Sequence, residues 1–324
     1  MIAVTGASGF IGRELSKALH EEGAAIRALV RPGRGATPGT EVVELPDITA
    51  RGDLARGFAG AETVVHLAGR AHRPGEPASA ALEELRRVNV DGTLAAVEAA
   101  ADAGVRRVLI ASSVKAVGEA NEAPWTESTP AAPRDAYGAS KLAAELVALE
   151  AGARRGVEVV VMRFPLVYGP GAPANVLRLL RLVDRGLPLP FGAVRNRRSM
   201  LSTGNLTAAV RALMIAPGIG GEIFFLADGS DLSTPDLVRT IAGALGKPAR
   251  LIRVPVGLLR AGGAVGSLLA RFTGFPITSA EVARLTGSLT VSTAKLAERV
   301  GFRAGTTPEA GWAATAAWYR EAMG

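Results

Sequence analysis

The chain has 324 residues, a hydrophobic fraction of 48%, a charged fraction of 21% and a formal net charge of +7. It contains no cysteine, which excludes disulfides and thiolate metal sites, and none of its three histidines forms a pair at metal-ligand spacing. The cations are spread along the chain and form no single basic stripe, so we predict neither a nucleic-acid partner nor a metal site.

The amino-terminal residues lead directly into an apolar strand pattern, and we find no signal peptide ahead of it. The longest apolar stretch, residues 254–272, is rich in glycine and is interrupted by Arg260 and Arg271. Such a broken stretch does not predict a membrane span. We therefore expect a cytoplasmic protein.

Short, nearly continuous apolar runs alternate with helical patterns along the first half of the chain. Such runs are typical of strands that are buried on both faces of a parallel sheet. The alternation predicts a doubly wound α/β fold of the Rossmann type, with the ligand at the carboxyl ends of the strands. The predicted strands are residues 2–4, 24–30, 41–45, 63–67, 108–111 and 157–162, and the predicted helices include 12–22, 82–103 and 137–155.

Beyond Tyr168 the pattern becomes less regular, with several joints that are rich in proline and glycine. We predict that residues 1–168 form a dinucleotide-binding domain, completed by a helix and a strand within residues 202–228. Residues 169–201 and 229–324 are then expected to form a smaller, substrate-binding lobe.

A glycine-rich turn follows the first predicted strand and opens the first helix, with glycine at positions 6, 9 and 12. Glycine there lets the backbone approach a pyrophosphate, whose charge is met by the helix N-terminus. The alternative is an ordinary tight turn between a strand and a helix. Because both flanking elements are present, the turn predicts a dinucleotide cofactor.

The end of the second strand distinguishes between the two nicotinamide cofactors. Enzymes that use NAD usually carry an acidic residue there, which bonds the adenosine ribose. This chain has Arg31 instead, and Arg31 with Arg34 is suited to pairing with a 2′-phosphate, although a solvated loop arginine is the alternative. The residues therefore favour NADP(H) over NAD(H). Asp47 and Ile48, after the third strand, either contact the adenine or belong to a helix N-cap.

Tyr137 and Lys141 are four residues apart at the start of a predicted helix, so both project from one face. A free phenol has a pKa of about 10 and is a poor base at neutral pH. We expect the Lys141 ammonium and an oxidised nicotinamide to lower the pKa of Tyr137. Ser113 follows the apolar run 108–111 and is placed to bond the substrate oxygen. These residues predict hydride transfer with acid/base catalysis by Tyr137.

Further motifs carry a specific resemblance. The chain resembles the extended short-chain dehydrogenases/reductases of the NAD-dependent epimerase/dehydratase family over almost its whole length. The resemblance rests on residues 5–12, 66–69 (His-Leu-Ala-Gly), 89–93 (Asn-Val-Asp-Gly-Thr), 111–113 (Ala-Ser-Ser), Tyr137 with Lys141, and 163–171. It implies that Ser113, Tyr137 and Lys141 form a catalytic triad, and that Asn89 supports the central helix and strand. It also implies cofactor contacts from Gly6, Gly9, Phe10, Ile11, Gly12, Leu67, Ala68 and Gly69, besides Tyr137 and Lys141.

The resemblance also narrows the reaction. Sugar-nucleotide 4,6-dehydratases of the family carry an Asp-Glu pair directly after the catalytic serine or threonine, where this chain has Val114 and Lys115. The segment is similar to a subgroup of UDP-hexose 4-epimerases and 4-keto-reductases, as are residues 187–192 and 195–199. The run Arg163-Phe164-Pro165-Leu166 lacks an asparagine that is frequent in UDP-galactose epimerases, which argues against that simple reaction.

In the smaller lobe, the resemblance implies that Asn175, Arg198 and Arg284 bind the nucleoside diphosphate of a nucleotide-sugar substrate. An arginine fork suits a diphosphate, although surface solvation is the alternative for each arginine. Arg70 and His72 border the loop after the fourth strand and face either the substrate or the solvent.

Two questions stay open at this stage. Family members often pair two long helices across a two-fold axis, so we expect a homodimer through the helices predicted at 82–103 and 137–155, with ordinary packing on the sheet as the alternative. For the function, the rivals of a sugar-nucleotide enzyme are a reductase of a small carbonyl compound and a non-catalytic NAD(P)-binding regulator on the same fold.

Overall fold

A seven-stranded parallel sheet forms the centre of the computed structural model, which describes residues 1–71, 78–273 and 279–323. The strands are β1 (Ile2–Thr5), β2 (Ile26–Val30), β3 (Glu41–Glu44), β4 (Thr63–His66), β5 (Arg107–Ser113), β6 (Glu158–Phe164), β7 (Leu166–Tyr168), β8 (Met200–Ser202) and β9 (Ile223–Phe225). The main sheet has the order β3-β2-β1-β4-β5-β6-β9, and each pairing in it is parallel. The order reverses between β1 and β4, which creates the crevice where open α/β sheets bind ligands. The predicted fold class is confirmed.

Helices cover both faces of the sheet and continue into the carboxyl-terminal part. They are α1 (Phe10–Glu21), α2 (Arg51–Phe58), α3 (Ala78–Leu85), α4 (Gly92–Asp102), α5 (Ala136–Arg155), α6 (Ala174–Asp184), α7 (Thr203–Ile215), α8 (Thr234–Leu245), α9 (Val256–Thr273), α10 (Ser279–Thr286), α11 (Ala294–Val300) and α12 (Pro308–Met323). The prediction of one regular helix over 82–103 is wrong, because a π-helical segment, Arg86–Asp91, joins α3 to α4. Such segments occur frequently at functional sites.

The central strands are mostly apolar because both faces of the sheet are buried there, whereas the edge strand β3 is mostly exposed. On one face, Val4 and Leu109 pack with residues of α1 and α7. On the other face, their neighbours Ala3 and Val108 pack with residues of α2, α4 and α5. Successive side chains of a strand point to opposite faces, so both positions of each pair must be apolar.

A further apolar cluster lies in the carboxyl-terminal part, among α6, α8 and α12. Tyr168 and Trp312 stack there, with ring centroids 4.5 Å apart. The short strands β7 and β8 form a separate parallel pair beside this cluster. Leu296 of α11, by contrast, packs with the core of the main sheet. The division into a dinucleotide-binding domain and a substrate lobe stays a prediction.

Two kinds of element are not found in the part of the chain that the structure describes. None of its helices is long and apolar enough to cross a membrane. No group of three or more histidine, aspartate or glutamate side chains is arranged there to hold a metal ion.

Candidate active site

A cleft with a volume of about 950 Å³ lies at the carboxyl ends of β1, β2 and β4. Its volume is within the range of small-molecule and cofactor pockets, which is about 300–1,000 Å³. We call it the strand-end cleft. Eight of the predicted cofactor-binding residues line it, namely Gly6, Gly9, Arg31, Asp47, Ile48, Leu67, Ala68 and Gly69.

The glycine-rich turn is shaped by close backbone contacts. Gly6 has a φ of +68°, and a Cβ atom on it would lie 2.7 Å from the backbone nitrogen of Ala68. A Cβ atom on Gly12 would collide with the carbonyl oxygen of Gly6. Both positions therefore require glycine. The helix α1 that follows has Gly9 as its N-cap and no side-chain cap, so its first N–H groups point to the cleft without a capping partner.

Phe10 and Ile11 do not line the strand-end cleft with their side chains. Both side chains pack against the core between the sheet, α1 and α7. They occupy the first turn of α1, where a residue presents its backbone N–H to an anion at the helix N-terminus. A cofactor contact through these N–H groups stays a prediction.

Three arginines surround the part of the cleft next to β2. Arg31 follows β2 directly, and Arg13 of α1 and Arg34 line the same cleft. Within the described residues, none of these three guanidinium groups makes an ion pair. Sequence reasoning missed Arg13, although its position directly after Gly12 was a usable signal. The arrangement gives this part of the cleft a positive charge.

Asp47 lies on the opposite wall, where β3 leads into α2. Its Oδ1 accepts hydrogen bonds of 3.0 Å from the backbone nitrogen of Thr49 and from Nη1 of Arg87. The Thr49 backbone bond, followed by Arg87, lowers the pKa of Asp47. The helix N-cap alternative is wrong, because α2 begins after Ala50. Arg87 comes from the π-helical segment, and sequence reasoning therefore gave no reason to expect it here.

The three predicted catalytic residues meet at the end of β5. Ser113 is the last residue of β5, and Tyr137 lies in the first turn of α5, whose N-cap is Asp135. Nζ of Lys141 donates a 2.7 Å hydrogen bond to the carbonyl oxygen of Ala111. A Cβ atom on Gly69 would lie 3.5 Å from that Nζ, so the group adjoins the wall of the strand-end cleft.

Burial has the largest influence on the pKa values of Tyr137 and Lys141. Burial raises the pKa of Tyr137 above its usual value, while a hydrogen bond with the Ser113 side chain acts in the opposite direction. Burial lowers the pKa of Lys141 to about 8, against the attraction of Glu145. The expected lowering of the Tyr137 pKa by the Lys141 ammonium together with an oxidised nicotinamide stays a prediction.

Two buried polar residues lie behind the catalytic group: Asn89 connects the loop after β4 to α5, and His66 connects β1 to α4. The Asn89 side chain accepts a 2.7 Å bond from the backbone nitrogen of Arg70 and donates a 2.9 Å bond to Oγ of Ser140. His66 lies between the hydroxyl groups of Thr5 and Thr93, at 2.9 and 3.3 Å. Burial lowers the pKa of His66 to about 3, so its ring is neutral at physiological pH.

A buried ion pair connects β6 to α5 next to the carboxyl end of β5. Nε of Arg163 on β6 donates a 2.9 Å hydrogen bond to Oε1 of Glu145 on α5. Ser112, the neighbour of Ser113, donates to the same carboxylate. The two charged side chains are 5% and 1% exposed, so they are compensated almost entirely by each other and by Ser112.

A second ionic cluster holds the N-terminus of α5. Nζ of Lys115 pairs with the Asp135 carboxylate and with Oε1 of Glu119, the latter at 2.9 Å. Oδ1 of Asp135 accepts a 2.7 Å bond from the backbone nitrogen of Gly138, which caps the helix. The backbone nitrogen of Lys115 also donates to Oγ of Ser113. Lys115 thus links the turn after β5 to the start of the catalytic helix.

The predicted substrate residues are only partly brought together. Nη1 of Arg198 donates to the carbonyl oxygens of Arg284 and Gly287, at 2.6 and 3.2 Å. Burial, and then the Arg284 guanidinium, lower the pKa of Arg198, so two positive groups face each other here. Asn175 is exposed in the first turn of α6. Arg70 lines the strand-end cleft, whereas His72 lies outside the described residues.

Comparison with known proteins identifies relatives of this chain. Residues 2–224 match the model of the NAD dependent epimerase/dehydratase family. A protein of Vibrio cholerae named UDP-glucose 4-epimerase is 34% identical over 99% of this chain and 96% of its own length. A ceramide reductase of Caulobacter vibrioides is 32% identical over 99% of this chain and 95% of its own length.

Solved structures show the same architecture. The structure of MoeE5 in complex with UDP-glucose and NAD superposes with a TM-score of 0.77 and 27% identity, covering 100% of this chain and 99% of that one. The family match and the nearly full-length relatives lead to one conclusion. The chain belongs to the NAD-dependent epimerase/dehydratase family of extended short-chain dehydrogenases/reductases.

Proposed function

We propose that this chain acts at carbon 4 of a nucleotide-linked hexose, with a UDP-linked sugar as the favoured substrate. The single observation that supports it best is the meeting of Ser113, Tyr137 and Lys141 at the end of β5, with the Lys141 amine next to the Gly69 wall of the strand-end cleft. A nicotinamide cofactor, when bound in that cleft, supplies the hydride acceptor or donor. The names of the relatives support the same class of substrate.

The residues of the chain then handle the proton. In the oxidative direction, the phenolic oxygen of Tyr137 takes the proton of the 4-hydroxyl group while the hydrogen on carbon 4 leaves as hydride. In the reductive direction, Tyr137 returns a proton to the 4-keto oxygen. Ser113 bonds that oxygen and orients it. Lys141 provides a nearby amine whose own pKa is lowered by burial. When this amine is protonated, its positive charge favours the Tyr137 phenolate.

The reaction is then either 4-epimerisation or reduction of a 4-keto sugar. An epimerase retains its cofactor, whereas a reductase exchanges it in each turnover. The cluster of Arg13, Arg31 and Arg34 supports a cofactor with a 2′-phosphate and therefore NADP(H) and a reductase. The relative named UDP-glucose 4-epimerase supports the epimerase and NAD.

Identification of the bound nucleotide tests this choice. The purified protein is denatured and the released nucleotide is analysed, and empty protein is titrated with NADPH and NADH. Stoichiometric NAD supports the epimerase and contradicts the argument from Arg31. Empty protein that binds NADPH more tightly supports the reductase, and Arg31→Ala is then expected to reduce NADPH affinity about tenfold while leaving NADH affinity unchanged.

A reductase of a carbonyl compound without a nucleotide is the second candidate. Two observations favour it: the nearly full-length relative named ceramide reductase, and the use of Arg198 in bonds to the Arg284 and Gly287 carbonyls. Turnover of UDP-sugars distinguishes the two candidates. A non-catalytic regulator on this fold would keep its function after Tyr137→Phe, whereas either enzyme would lose it.

We also propose a homodimer that pairs the helical segments 82–103 (α3 and α4) and 137–155 (α5) with their counterparts. Leu82 and Leu146, on α3 and α5, are 55% and 60% exposed, which supports a covered surface there. Light scattering measures the mass in solution. A monomeric wild-type protein contradicts this proposal, and a dimer that Leu146→Asp dissociates supports it.

A further inference from the structure

The helix α9 has its residues arranged in an unusual way for an outer helix. Its small residues Gly263 and Gly266 are buried, whereas Leu258 and Val265 are 65% and 60% exposed. Helices on the surface of a globular protein usually bury their large apolar residues and expose polar ones. This arrangement indicates that the outer face of α9 meets something other than water.

The buried side of α9 explains why the helix cannot rotate to hide its large residues. A Cβ atom on Gly263 would lie 2.9 Å from Cγ2 of Val282 on α10. Oγ of Ser267 donates to the carbonyl oxygen of Gly263 at 3.0 Å and accepts from the backbone nitrogen of Ser279 at 2.8 Å. Close packing against α10 therefore fixes the glycine side inward and the leucine side outward.

The outer face of α9 carries apolar or small residues over successive helical turns. Leu258 and Val265 are seven residues apart and so share one side of the helix. Between them Ala261 and Gly262 are also exposed. Arg260 is the charged residue of this exposed segment, and Ile252, just before the helix, is 49% exposed.

The sequence segment 237–280, which includes α9, carries only positive charges. The sequence contains no aspartate or glutamate between Asp236 and Glu281, but it has Arg239, Lys247, Arg250, Arg253, Arg260 and Arg271. Two of these cations are neutralised by carboxylates outside the segment, because Arg239 pairs with Asp236 and Lys247 pairs with Asp184. Arg253 and Arg260 are exposed, and within the described residues neither makes an ion pair. A partner of this face therefore needs an apolar surface with negative charge at its border.

We propose that the outer face of α9 docks on an anionic membrane surface. Leu258 and Val265 enter the boundary between headgroups and acyl chains, while Arg253 and Arg260 extend to the phosphates. A second copy of this chain fits less well, because pairing the face with itself would bring these arginines together. This inference is independent of the proposed reaction, since none of these residues belongs to the strand-end cleft or the catalytic group.

The experiment is co-sedimentation of the full-length protein with vesicles. One set consists of phosphatidylcholine alone, and the other of phosphatidylcholine mixed with phosphatidylglycerol. We expect binding to the mixed vesicles that weakens with added salt. Arg260→Gln is expected to weaken it about fivefold, since each cation near such a surface contributes about that factor. Arg303→Gln removes an exposed arginine elsewhere and is the matched control, with no change expected.

The apolar part is tested by the double substitution Leu258→Asp with Val265→Asp, which we expect to abolish vesicle binding without changing the melting temperature. Ile215→Asp is its matched control, because Ile215 is 81% exposed on a different helix. Absence of wild-type binding to mixed vesicles overturns the proposal, as does equal loss in the Ile215 variant. Self-association that the double substitution removes, without vesicle binding, identifies a subunit interface and also overturns it.

Discussion

The strand-end cleft and the region around Arg198, Arg284 and Gly287, which we call the lobe here without implying a separate domain, use arginine in opposite ways. In the cleft, Arg13, Arg31 and Arg34 end in the pocket and make no ion pair within the described part of the chain. In the lobe, Arg198 donates to backbone carbonyls that lie 86 and 89 residues further along the chain. The three arginines of the cleft are available to a ligand, whereas the Arg198 guanidinium donates hydrogen bonds that stabilise the fold.

The difference arises from how each region is assembled. The cleft is built from strand–turn–helix units, so neighbouring residues in the sequence reach the same wall. The lobe is built from segments that meet only after folding, and its polar groups must first satisfy one another. Function in the cleft is therefore separable from stability to a larger degree than function in the lobe. Substitutions in the two regions test this difference.

The largest effect is expected from Tyr137→Phe. Removal of the phenolic oxygen eliminates the proposed proton acceptor, and general acid–base groups contribute about 10²–10⁴-fold to rate. We expect kcat to fall by that factor with little change in melting temperature or in cofactor affinity, measured by steady-state kinetics and calorimetry. Retention of more than a tenth of the wild-type kcat would show that Tyr137 is not the acid/base residue.

The second prediction concerns the buried pair below the catalytic strand ends. Glu145→Gln leaves the Arg163 charge almost without compensation, and breaking such a pair destabilises a protein by about 3–5 kcal/mol. Urea denaturation measures this loss. The matched control is Arg239→Gln, which breaks an exposed ion pair with Asp236 and is expected to cost about 1 kcal/mol or less. Equal losses in the two variants would contradict the structural role of the buried pair.

Features that depend on local spacing were predicted from the sequence, whereas features that depend on contacts between distant segments were not. The glycine turn, Arg31 and the Tyr137–Lys141 pair were found because local spacing determines their placement. The π-helical segment was missed, because nothing in the apolar pattern of residues 82–103 distinguishes it from an ordinary helix. Its residue Asn89 bonds the loop after β4, a contact between distant segments that the sequence does not reveal. The contribution of burial to the pKa of Tyr137 could not be predicted, because burial depends on long-range packing that the sequence does not reveal.

The third prediction separates binding from stability in the lobe. Arg284→Ala removes an exposed guanidinium but keeps the carbonyl oxygen that accepts from Arg198. If the two arginines bind a diphosphate, KM for a nucleotide sugar rises about tenfold, which is 1.4 kcal/mol, while the melting temperature stays the same. Arg198→Ala is expected to raise KM and to lower the melting temperature as well. An unchanged KM in both variants would favour the carbonyl reductase over the sugar-nucleotide enzyme.

The smallest expected effect is a shift in the pH profile, produced at the N-terminus of α5. The charged groups near Tyr137 are Asp135 and Lys141 on its own side of the helix, and Lys115 with Glu119 on the turn that follows β5. The negative charge of Asp135 raises the pKa of Tyr137, in addition to burial. Lys115 neutralises that charge while it leaves the carboxylate free to cap the helix.

Substitutions of Lys115 and of Asp135 are therefore expected to shift the pH–rate profile in opposite directions. Lys115→Met exposes Tyr137 to the Asp135 charge, which raises the phenol pKa and moves the pH–rate profile to higher pH by about half to one unit. Asp135→Asn keeps a side chain that caps helices well but removes the charge, so the profile moves to lower pH. The direction of each shift is the same for hydroxyl oxidation and for keto reduction, because both depend on the titration of the same phenol.

The pH–rate profile of the double variant is expected to lie close to that of the Asp135→Asn variant, since Lys115 acts on Tyr137 only through Asp135. A profile that Lys115→Met leaves in place, while kcat falls at every pH, would mean that Lys115 serves the packing of the turn and not the protonation of Tyr137.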